Sequence, residues 1–213
     1  MSDTRDFVPA LGLHGLTGAY DTVARLTTRE RRWRDPLLRE IAASADDRIA
    51  DVGCGTGTLA IALAESGARV VGIDPDDAVL AIARRKPGAE AVTWQRALGD
   101  ALPPGARSMT KVVSSLVLHQ CPLETKRSIL RAMHDALVPG GRLVVADYGL
   151  QRTALMRALF RSVQMLDGFA LTQPNADGCL PMLMRDAGFV RVAETFVLPT
   201  LSGSISIYRA ERA

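Results

Sequence analysis

The chain of 213 residues is long enough for one α/β domain with a buried core and too short for two comfortable ones. Its composition, 47% hydrophobic and 23% charged with a net charge of +3, is ordinary for a soluble globular protein, and no apolar run approaches the ~20 residues that span a bilayer. Three cysteines and three histidines are scattered without metal-ligand spacing, which argues against a disulfide framework and a structural metal.

The first 45 residues are predicted to form a helical cap segment, because they are helical in pattern but precede the alternation of strands and helices. They lack a basic stretch followed by an apolar core, so no secretion signal is expected and the predicted location is cytoplasmic. The basic runs at residues 29–34 and 84–86 are typical of solvated helix faces, although the first could also contact an anionic membrane surface. No RNA-recognition signature is present, so nucleic acid is not an expected partner.

From residue 48 onwards, strand and helix patterns alternate. Short apolar runs predict five strands, at residues 48–53, 68–74, 89–95, 111–120 and 138–149. Helical patterns lie between them, at residues 58–67, 76–86 and 123–137. Gly67 is suited to close the first of these helices, and Asp76 or Asp77 to cap the second. Strands separated by helices predict a parallel sheet with helices on both of its faces.

The pattern changes in the last third of the chain. It predicts a long apolar helix, a short helix and two strands, at residues 152–171, 180–188, 189–199 and 203–211. A loop containing Pro174, Asn175 and Gly178 is expected between the two helices. The two strands, joined by a short turn, are expected to pair antiparallel.

Three glycines at alternate positions, Gly53, Gly55 and Gly57, stand between the first strand and the helix that follows it. Glycines at this edge of a parallel sheet let the backbone turn tightly and approach a ligand, and the helix N-terminus adds amide donors. A dinucleotide-binding loop would carry a third glycine where Thr58 stands, and no Gly-Lys-Ser/Thr sequence of a phosphate-binding loop follows. Both of those ligand classes fit poorly.

With these residues, the chain resembles the class I S-adenosylmethionine-dependent methyltransferases from about residue 20 to its C-terminus. That family carries an acid two places before the glycine motif, an acid after the second strand, often another after the third, and a Pro-Gly-Gly turn before the fifth. Here these positions are held by Asp51, Asp74, Asp100, Pro139, Gly140 and Gly141. The resemblance implies a Rossmann-like, seven-stranded, mostly parallel sheet with helices on both faces and a C-terminal antiparallel strand pair, in one domain over residues 1–213.

The resemblance also implies a set of contacts to S-adenosylmethionine. Asp74 is expected to accept hydrogen bonds from the ribose hydroxyls, Asp100 and the backbone of Ala101 to contact the adenine, and Asp51 to face the cationic methionine end. The remaining residues expected at the cofactor are Tyr20, Gly53, Cys54, Gly55, Gly57 and Pro75.

Within the family, residues 18–38 and the C-terminal tail resemble the ubiquinone/menaquinone-biosynthesis type, which is methyltransferase type 11-like. A small acceptor of apolar or aromatic character is therefore expected. Phospholipid N-methyltransferases and many small-molecule methyltransferases share this shape, so the acceptor and the methylated atom stay open, as does the oligomeric state.

His119 and Tyr148 are the candidate catalytic residues. His119 is predicted to end the fourth strand, where it would be a general base or a polar wall for the acceptor, or would merely close the cofactor pocket. Tyr148 follows the fifth strand and would donate to the acceptor or line its pocket, with ordinary packing as the alternative. Apolar residues occupy more than one face of the long helix, which predicts that residues 150–178 form an insertion lining the acceptor side.

Three other functions remain as alternatives. The first is a membrane-surface enzyme that methylates a phospholipid headgroup, with residues 27–34 touching the lipid, and the second is a non-catalytic protein that binds S-adenosylmethionine. A dehydrogenase is the third, and it is disfavoured because Asp51 would repel a pyrophosphate and Thr58 breaks the dinucleotide motif.

Overall fold

The structure is a computed structural model, and it describes residues 30–103 and 108–213. Its strands are β1 (Arg48–Val52), β2 (Arg69–Asp74), β3 (Val92–Arg96), β4 (Met109–Ser115), β5 (Leu137–Tyr148), β6 (Phe189–Thr200) and β7 (Gly203–Arg212). Its helices are α1 (Glu30–Ile41), α2 (Thr58–Ala64), α3 (Asp77–Ala83), α4 (Leu123–Ala136), α5 (Ala154–Asp167), α6 (Phe169–Ala176) and α7 (Leu180–Asp186). Two short 3₁₀ turns lie at Ala89–Ala91 and Leu118–Gln120.

These seven strands form one sheet in the order β3-β2-β1-β4-β5-β7-β6. Strands β1 to β5 pair parallel, while β7 pairs antiparallel with both β5 and β6. The predicted seven-stranded, mostly parallel sheet with a C-terminal antiparallel pair is confirmed. Since Tyr148 at the end of β5 lies opposite Ile205 at the start of β7, the turn between β6 and β7 sits at the carboxyl edge of the parallel strands.

Helices cover both faces of the sheet because successive strand residues point to opposite sides. On one face, Val113 and Val144 pack with buried residues of α1, α2 and α5, such as Phe160. On the other face, Val112 and Leu143 pack with α4 and α7. The prediction of helices on both faces is therefore confirmed. None of the helices among the described residues is long and apolar enough to cross a membrane.

Local signals placed the start of α3 correctly, whereas α2 ends at Ala64 with Glu65 as its C-cap, before the expected Gly67. Asp76 caps α3, and its Oδ1 accepts a hydrogen bond from the amide of Ala78 at 2.8 Å. Gly67, with φ of +83°, follows α2 and donates its amide to the carbonyl of Ala64. The third strand begins at Val92 rather than residue 89, because residues 89–91 form a 3₁₀ turn.

Two further predictions about element ends were wrong. The fourth strand ends at Ser115 rather than at residue 120, since Leu116 has φ of +57° and a 3₁₀ turn follows. The long helix is broken at Gly168, with φ of +94°, into α5 and α6.

The loop expected around Pro174 and Asn175 is instead the end of helix α6, which contains Pro174. Tertiary hydrogen bonds support this helix, because the buried Asn175 side chain donates to the carbonyl of Tyr148 at 2.9 Å. The amide of Gln151 also donates to the carbonyl of Ala176. The predicted insertion, residues 150–178, thus consists mainly of two helices tied to the end of β5.

Candidate active site

The loop between β1 and α2 carries the glycine motif at the carboxyl edge of the sheet. The amides of Gly53 and Cys54 both donate to the carbonyl of Ile73 in β2, at 2.8 and 3.0 Å. Gly53, Gly55 and Gly57 have φ values of +73°, +51° and +77°. A side chain is strained in this region, which explains why the loop needs glycine at these positions.

The three glycines differ in what surrounds them. A Cβ at Gly53 would meet Val117 at 2.3 Å, and one at Gly57 would meet Trp94 at 2.2 Å. A Cβ at Gly55 would meet no atom of residues 30–103 and 108–213 within 4 Å. Protein therefore packs against the first and third glycines, while the middle one borders open space that a ligand can enter.

Asp74, at the end of β2, braces this loop. Its Oδ2 accepts from the amide of Gly55 at 2.9 Å, and its Oδ1 accepts from the amide of Asp76 at 3.0 Å. Burial raises the pKa of Asp74, and these two amides oppose the shift. The ribose-binding role expected of Asp74 stays a prediction, and its carboxylate stands at the expected strand end beside the open space.

Asp51 is completely buried, and among the described residues neither of its carboxylate oxygens has a hydrogen-bond partner of ordinary geometry. Burial and, secondly, the nearby Asp74 carboxylate raise its pKa to about 7, against the opposing effect of the Ala60 amide. A buried carboxylate without a partner is costly, so this arrangement fits a site that receives a cationic group.

The other expected cofactor residues are spread over the same edge. Asp100 and Ala101 lie in a turn after β3, where the amide of Ala101 donates to the carbonyl of Leu98. Pro75 follows β2 directly. Burial raises the pKa of the Cys54 thiol well above its usual range, so this thiol is neutral. Tyr20 lies outside the described residues.

His119 lies beyond the end of β4 and is held between two carboxylates. Its Nδ1 is 2.7 Å from Oδ1 of Asp147, and its Nε2 is 3.5 Å from Oδ2 of Asp167 at the end of α5. Asp147 also accepts hydrogen bonds from the amides of Leu118 and Tyr148. Burial alone would lower the pKa of His119, but the two carboxylates outweigh it and raise the pKa to about 9.

This geometry favours one interpretation of His119. An imidazole with a carboxylate at each nitrogen is an imidazolium at neutral pH, which makes it a better polar wall than a free base. Tyr148 packs its ring edge-on to His119 at 4.9 Å, and its hydroxyl lies 2.8 Å from Oγ of Ser202. The hydroxyl of Tyr148 is therefore already engaged, although the catalytic roles of both residues stay predictions.

Three polar residues of this region were not predicted from the sequence. Asp167 approaches His119 as described, and Lys126, whose side chain is completely buried, donates to the carbonyls of Cys121 and Leu171 at 2.6 and 2.7 Å. Lys86, expected on a solvated face, donates to the hydroxyls of Thr56 and Thr58, both at 2.8 Å. Apart from the local contact of Lys126 with Cys121, these contacts join residues 28 to 48 positions apart, and no local pattern signals them.

The chain is similar to known methyltransferases. A family model described as "Methyltransferase domain" matches residues 49–141. An uncharacterized methyltransferase of Synechocystis sp. is 33% identical over 132 residues, which is 60% of this chain and 61% of that protein. A demethylmenaquinone methyltransferase of Clavibacter sepedonicus is 32% identical over 145 residues, covering 67% of this chain and 58% of that protein.

A likeness in fold extends to solved structures. Magnesium protoporphyrin IX methyltransferase of Synechocystis PCC 6803, solved with bound S-adenosylhomocysteine, has a TM-score of 0.69 and 20% identity, and the match covers 92% of this chain and 94% of that one. The chain spans about three fifths of the length of the two curated relatives described above. The glycine motif, the sheet order and these matches lead to one conclusion. The chain carries a class I S-adenosylmethionine-dependent methyltransferase domain related to the ubiquinone/menaquinone type.

Proposed function

We propose that the chain binds S-adenosylmethionine at the carboxyl edge of its sheet and catalyses methyl transfer to a small apolar or aromatic acceptor. The observation that carries the proposal is Asp51, a completely buried carboxylate without a described partner next to the glycine loop. The methionine end of S-adenosylmethionine brings the cationic ammonium that this carboxylate lacks. The open space at Gly55 gives the ligand room beside it.

The residues present suit the rest of that ligand. Asp74, braced by two amides, offers its carboxylate to the ribose hydroxyls, and Pro75 follows it at the strand end. Asp100 and Ala101, in the turn after β3, are assigned to the adenine. Tyr20 is assigned to the cover over the cofactor.

When bound, S-adenosylmethionine supplies a methyl group activated by its positively charged sulfur. The protein then has to align the acceptor with that methyl group and exclude water, and alignment alone is worth ~7–11 kcal/mol of a barrier. The gap of 3.5 Å from His119 Nε2 to Asp167 is longer than an ordinary hydrogen bond. We therefore assign Nε2 as a donor to a polar atom of the acceptor, and the Tyr148 ring as part of the acceptor wall.

The expected apolar character of the acceptor rests on two observations. The similar Clavibacter sepedonicus protein is a demethylmenaquinone methyltransferase, whose name indicates a quinone acceptor. In this chain, α5 passes close to His119 and Tyr148 and contributes Phe160, whose ring lies 4.9 Å from that of Tyr148. We assign these two aromatic rings, next to His119, to the wall of the acceptor side.

The first test is thermal unfolding with S-adenosylmethionine, S-adenosylhomocysteine or NAD added separately. A ligand at ~100 times its dissociation constant adds ~2.7 kcal/mol, which shifts the unfolding temperature of a chain of this size by several degrees. We expect a shift with the two adenosyl ligands, its loss in Asp74→Ala, and none with NAD. A shift with NAD alone would contradict the proposal.

Catalysis is tested by the formation of S-adenosylhomocysteine from S-adenosylmethionine in the presence of reduced quinones, other phenols and amines. Turnover with an apolar aromatic acceptor supports the proposal. Tight cofactor binding without turnover across the whole panel would favour a non-catalytic binding protein instead.

A further inference from the structure

Large apolar side chains are exposed on one side of α5 and at the start of α6. The exposed fractions are 63% for Leu155, 79% for Met165, 70% for Leu166 and 53% for Phe169. Leu155 and Leu166 are eleven residues apart, which is about three helical turns, so they lie on the same side of α5. The opposite side of α5 buries Phe160 and Val163 against the sheet.

The turn between β6 and β7 packs against the buried side of α5. Leu201, at the tip of the turn, is 59% exposed. The neighbouring Gly203 packs against Phe160 of α5, since a Cβ at Gly203 would meet the Phe160 side chain at 3.0 Å. We call Leu155, Met165, Leu166 and Phe169 the apolar patch. Contiguous exposed apolar surface of this kind marks an interaction site.

Basic residues stand beside the apolar patch. Arg157, Arg161 and Met165 follow one another at intervals of four residues on α5, so the two arginines continue the row of Met165, while Arg157 itself lies on the other side of the helix from Leu166. Arg157 lies 3.9 Å from Asp177, both side chains being more than half exposed, whereas no carboxylate of the described residues pairs with Arg161. An apolar stripe with arginines at its border is the pattern of helices that lie in a membrane interface.

We propose that the apolar patch docks the protein on a membrane surface that contains anionic phospholipid. The leucine, methionine and phenylalanine side chains enter the boundary between headgroups and acyl chains, while Arg157 and Arg161 reach lipid phosphates. Charge complementarity with an anionic surface favours a membrane over a second copy of this chain, because two such basic rows would repel each other.

The apolar patch lies close to the candidate active site. Helix α5 crosses the carboxyl edge of the sheet, with Phe160 beside Tyr148 at the end of β5 and Asp167 beside His119 beyond β4. A membrane bound to its outer side therefore lies near the ends of β4 and β5, where His119 and Tyr148 stand. Docking is measured without cofactor or acceptor, so the result of its test does not depend on whether the protein transfers methyl groups.

The test is co-sedimentation with vesicles of phosphatidylcholine alone and of phosphatidylcholine mixed with phosphatidylglycerol. We expect binding to the anionic vesicles, weakened by salt. The double variant Met165→Glu/Leu166→Glu should lower that binding at least about tenfold, because two charges replace two inserted side chains. Arg157→Gln/Arg161→Gln should lower it about tenfold or more on the anionic vesicles only.

The matched control is Met182→Glu. Met182 is 51% exposed, but its helix α7 packs on the opposite face of the sheet, so this change should leave vesicle binding unaltered. Circular dichroism and the unfolding midpoint of each variant show whether it is folded. Equal losses for Met182→Glu and for the patch variants would overturn the assignment of the surface.

Hydroxyl-radical labelling locates the contact in the unmodified protein. Met165 and Met182 should both be oxidised readily without lipid, and anionic vesicles should protect Met165 but not Met182. Absence of vesicle binding would overturn the proposal. So would protection of Met165 without lipid, since self-association or another part of the chain would then cover the patch, and sedimentation velocity tells these two apart.

Discussion

At the scale of single residues, the glycine loop separates a requirement of folding from a requirement of binding. Gly55 and Gly57 both have positive φ, but a Cβ at Gly57 would collide with Trp94, whereas a Cβ at Gly55 would project into open space. Gly140, with φ of +76° and equally open surroundings, lies far from the site at the other end of β5. It is therefore a control for backbone strain alone.

We expect Gly55→Ala and Gly140→Ala to destabilise the protein similarly, by ~1–2 kcal/mol for a side chain in the left-handed region. Only Gly55→Ala should also weaken S-adenosylhomocysteine binding, because its methyl group occupies the ligand's space. Gly57→Ala should cost more stability than either, since Trp94 must move. Urea unfolding and calorimetric titration measure the two effects, and unchanged affinity in Gly55→Ala would place the ligand elsewhere.

The raised pKa of Asp51 predicts that the affinity for the ligand depends on pH. Its pKa of about 7 means that the free protein holds a proton there which a bound ammonium group would expel. Affinity for S-adenosylhomocysteine should therefore rise by up to about tenfold between about pH 6 and pH 7.5. Titration in buffers of different ionisation enthalpy should show proton release.

Asp51→Asn is the decisive variant for that prediction. It should bind the ligand more weakly and with a flat pH dependence, whereas Asp74→Asn should weaken binding but keep the proton release that comes from Asp51. An unchanged pH profile in Asp51→Asn would show that this carboxylate does not meet the ligand's ammonium group.

At the scale of elements, α6 depends on a buried lysine in another helix. Lys126 of α4 donates to the carbonyl of Leu171 in α6 and to that of Cys121, and burial lowers its pKa. Neighbouring Arg127 pairs only with the exposed Glu124 among the described carboxylates. The two side chains are adjacent in sequence and have opposite environments.

We expect Lys126→Met to destabilise the protein by ~2–4 kcal/mol, because it leaves two inward-facing carbonyls without their charged donor. Hydrogen exchange of the α6 amides should accelerate more than that of the α4 amides. Arg127→Met removes a surface pair and should change stability by ~1 kcal/mol or less. Equal exchange in α6 for both variants would show that Lys126 does not hold this helix.

At the scale of the whole molecule, buried ionisable groups set how stability varies with pH. The folded pKa of Asp51, about 7, lies above its ordinary 3.8, so this group costs stability as pH rises from about 4 to 7. His119, with a folded pKa of about 9 against 6.5, contributes stability that is present below pH 6.5 and lost as pH rises to 9. Asp47, paired with Lys111 and with a pKa of about 2, loses its contribution only below pH 4.

The free protein should therefore be most stable near pH 4 to 5 and lose a few kcal/mol towards pH 9. Urea unfolding across this range measures the curve. Asp51→Asn should flatten its acidic half and His119→Gln its alkaline half, while saturating S-adenosylhomocysteine should flatten the acidic half of the native protein. A stability maximum above pH 7 in the free protein would contradict both assignments.

The sequence by itself determined the features that depend on neighbouring residues. Gly53, Gly55 and Gly57 indicated a loop that turns tightly, Asp76 or Asp77 indicated a helix start, and apolar runs between helices indicated a parallel sheet. These signals are local, because backbone conformation and the burial period of a strand are written within a few positions. The same locality placed Asp51 and Asp74 at the ends of adjacent strands.

Only the tertiary structure decided how distant segments meet. The insertion of β7 between β5 and β6, the charge-paired group of His119, Asp147 and Asp167, and the helical state of Pro174 in α6 all depend on contacts between segments far apart in sequence. These features are stabilised by contacts that form only when the fold brings the ends of β4, β5 and α5 together at one edge of the sheet. A local sequence pattern carries no information about contacts between distant segments, so the residues around His119 could be identified only in the folded protein.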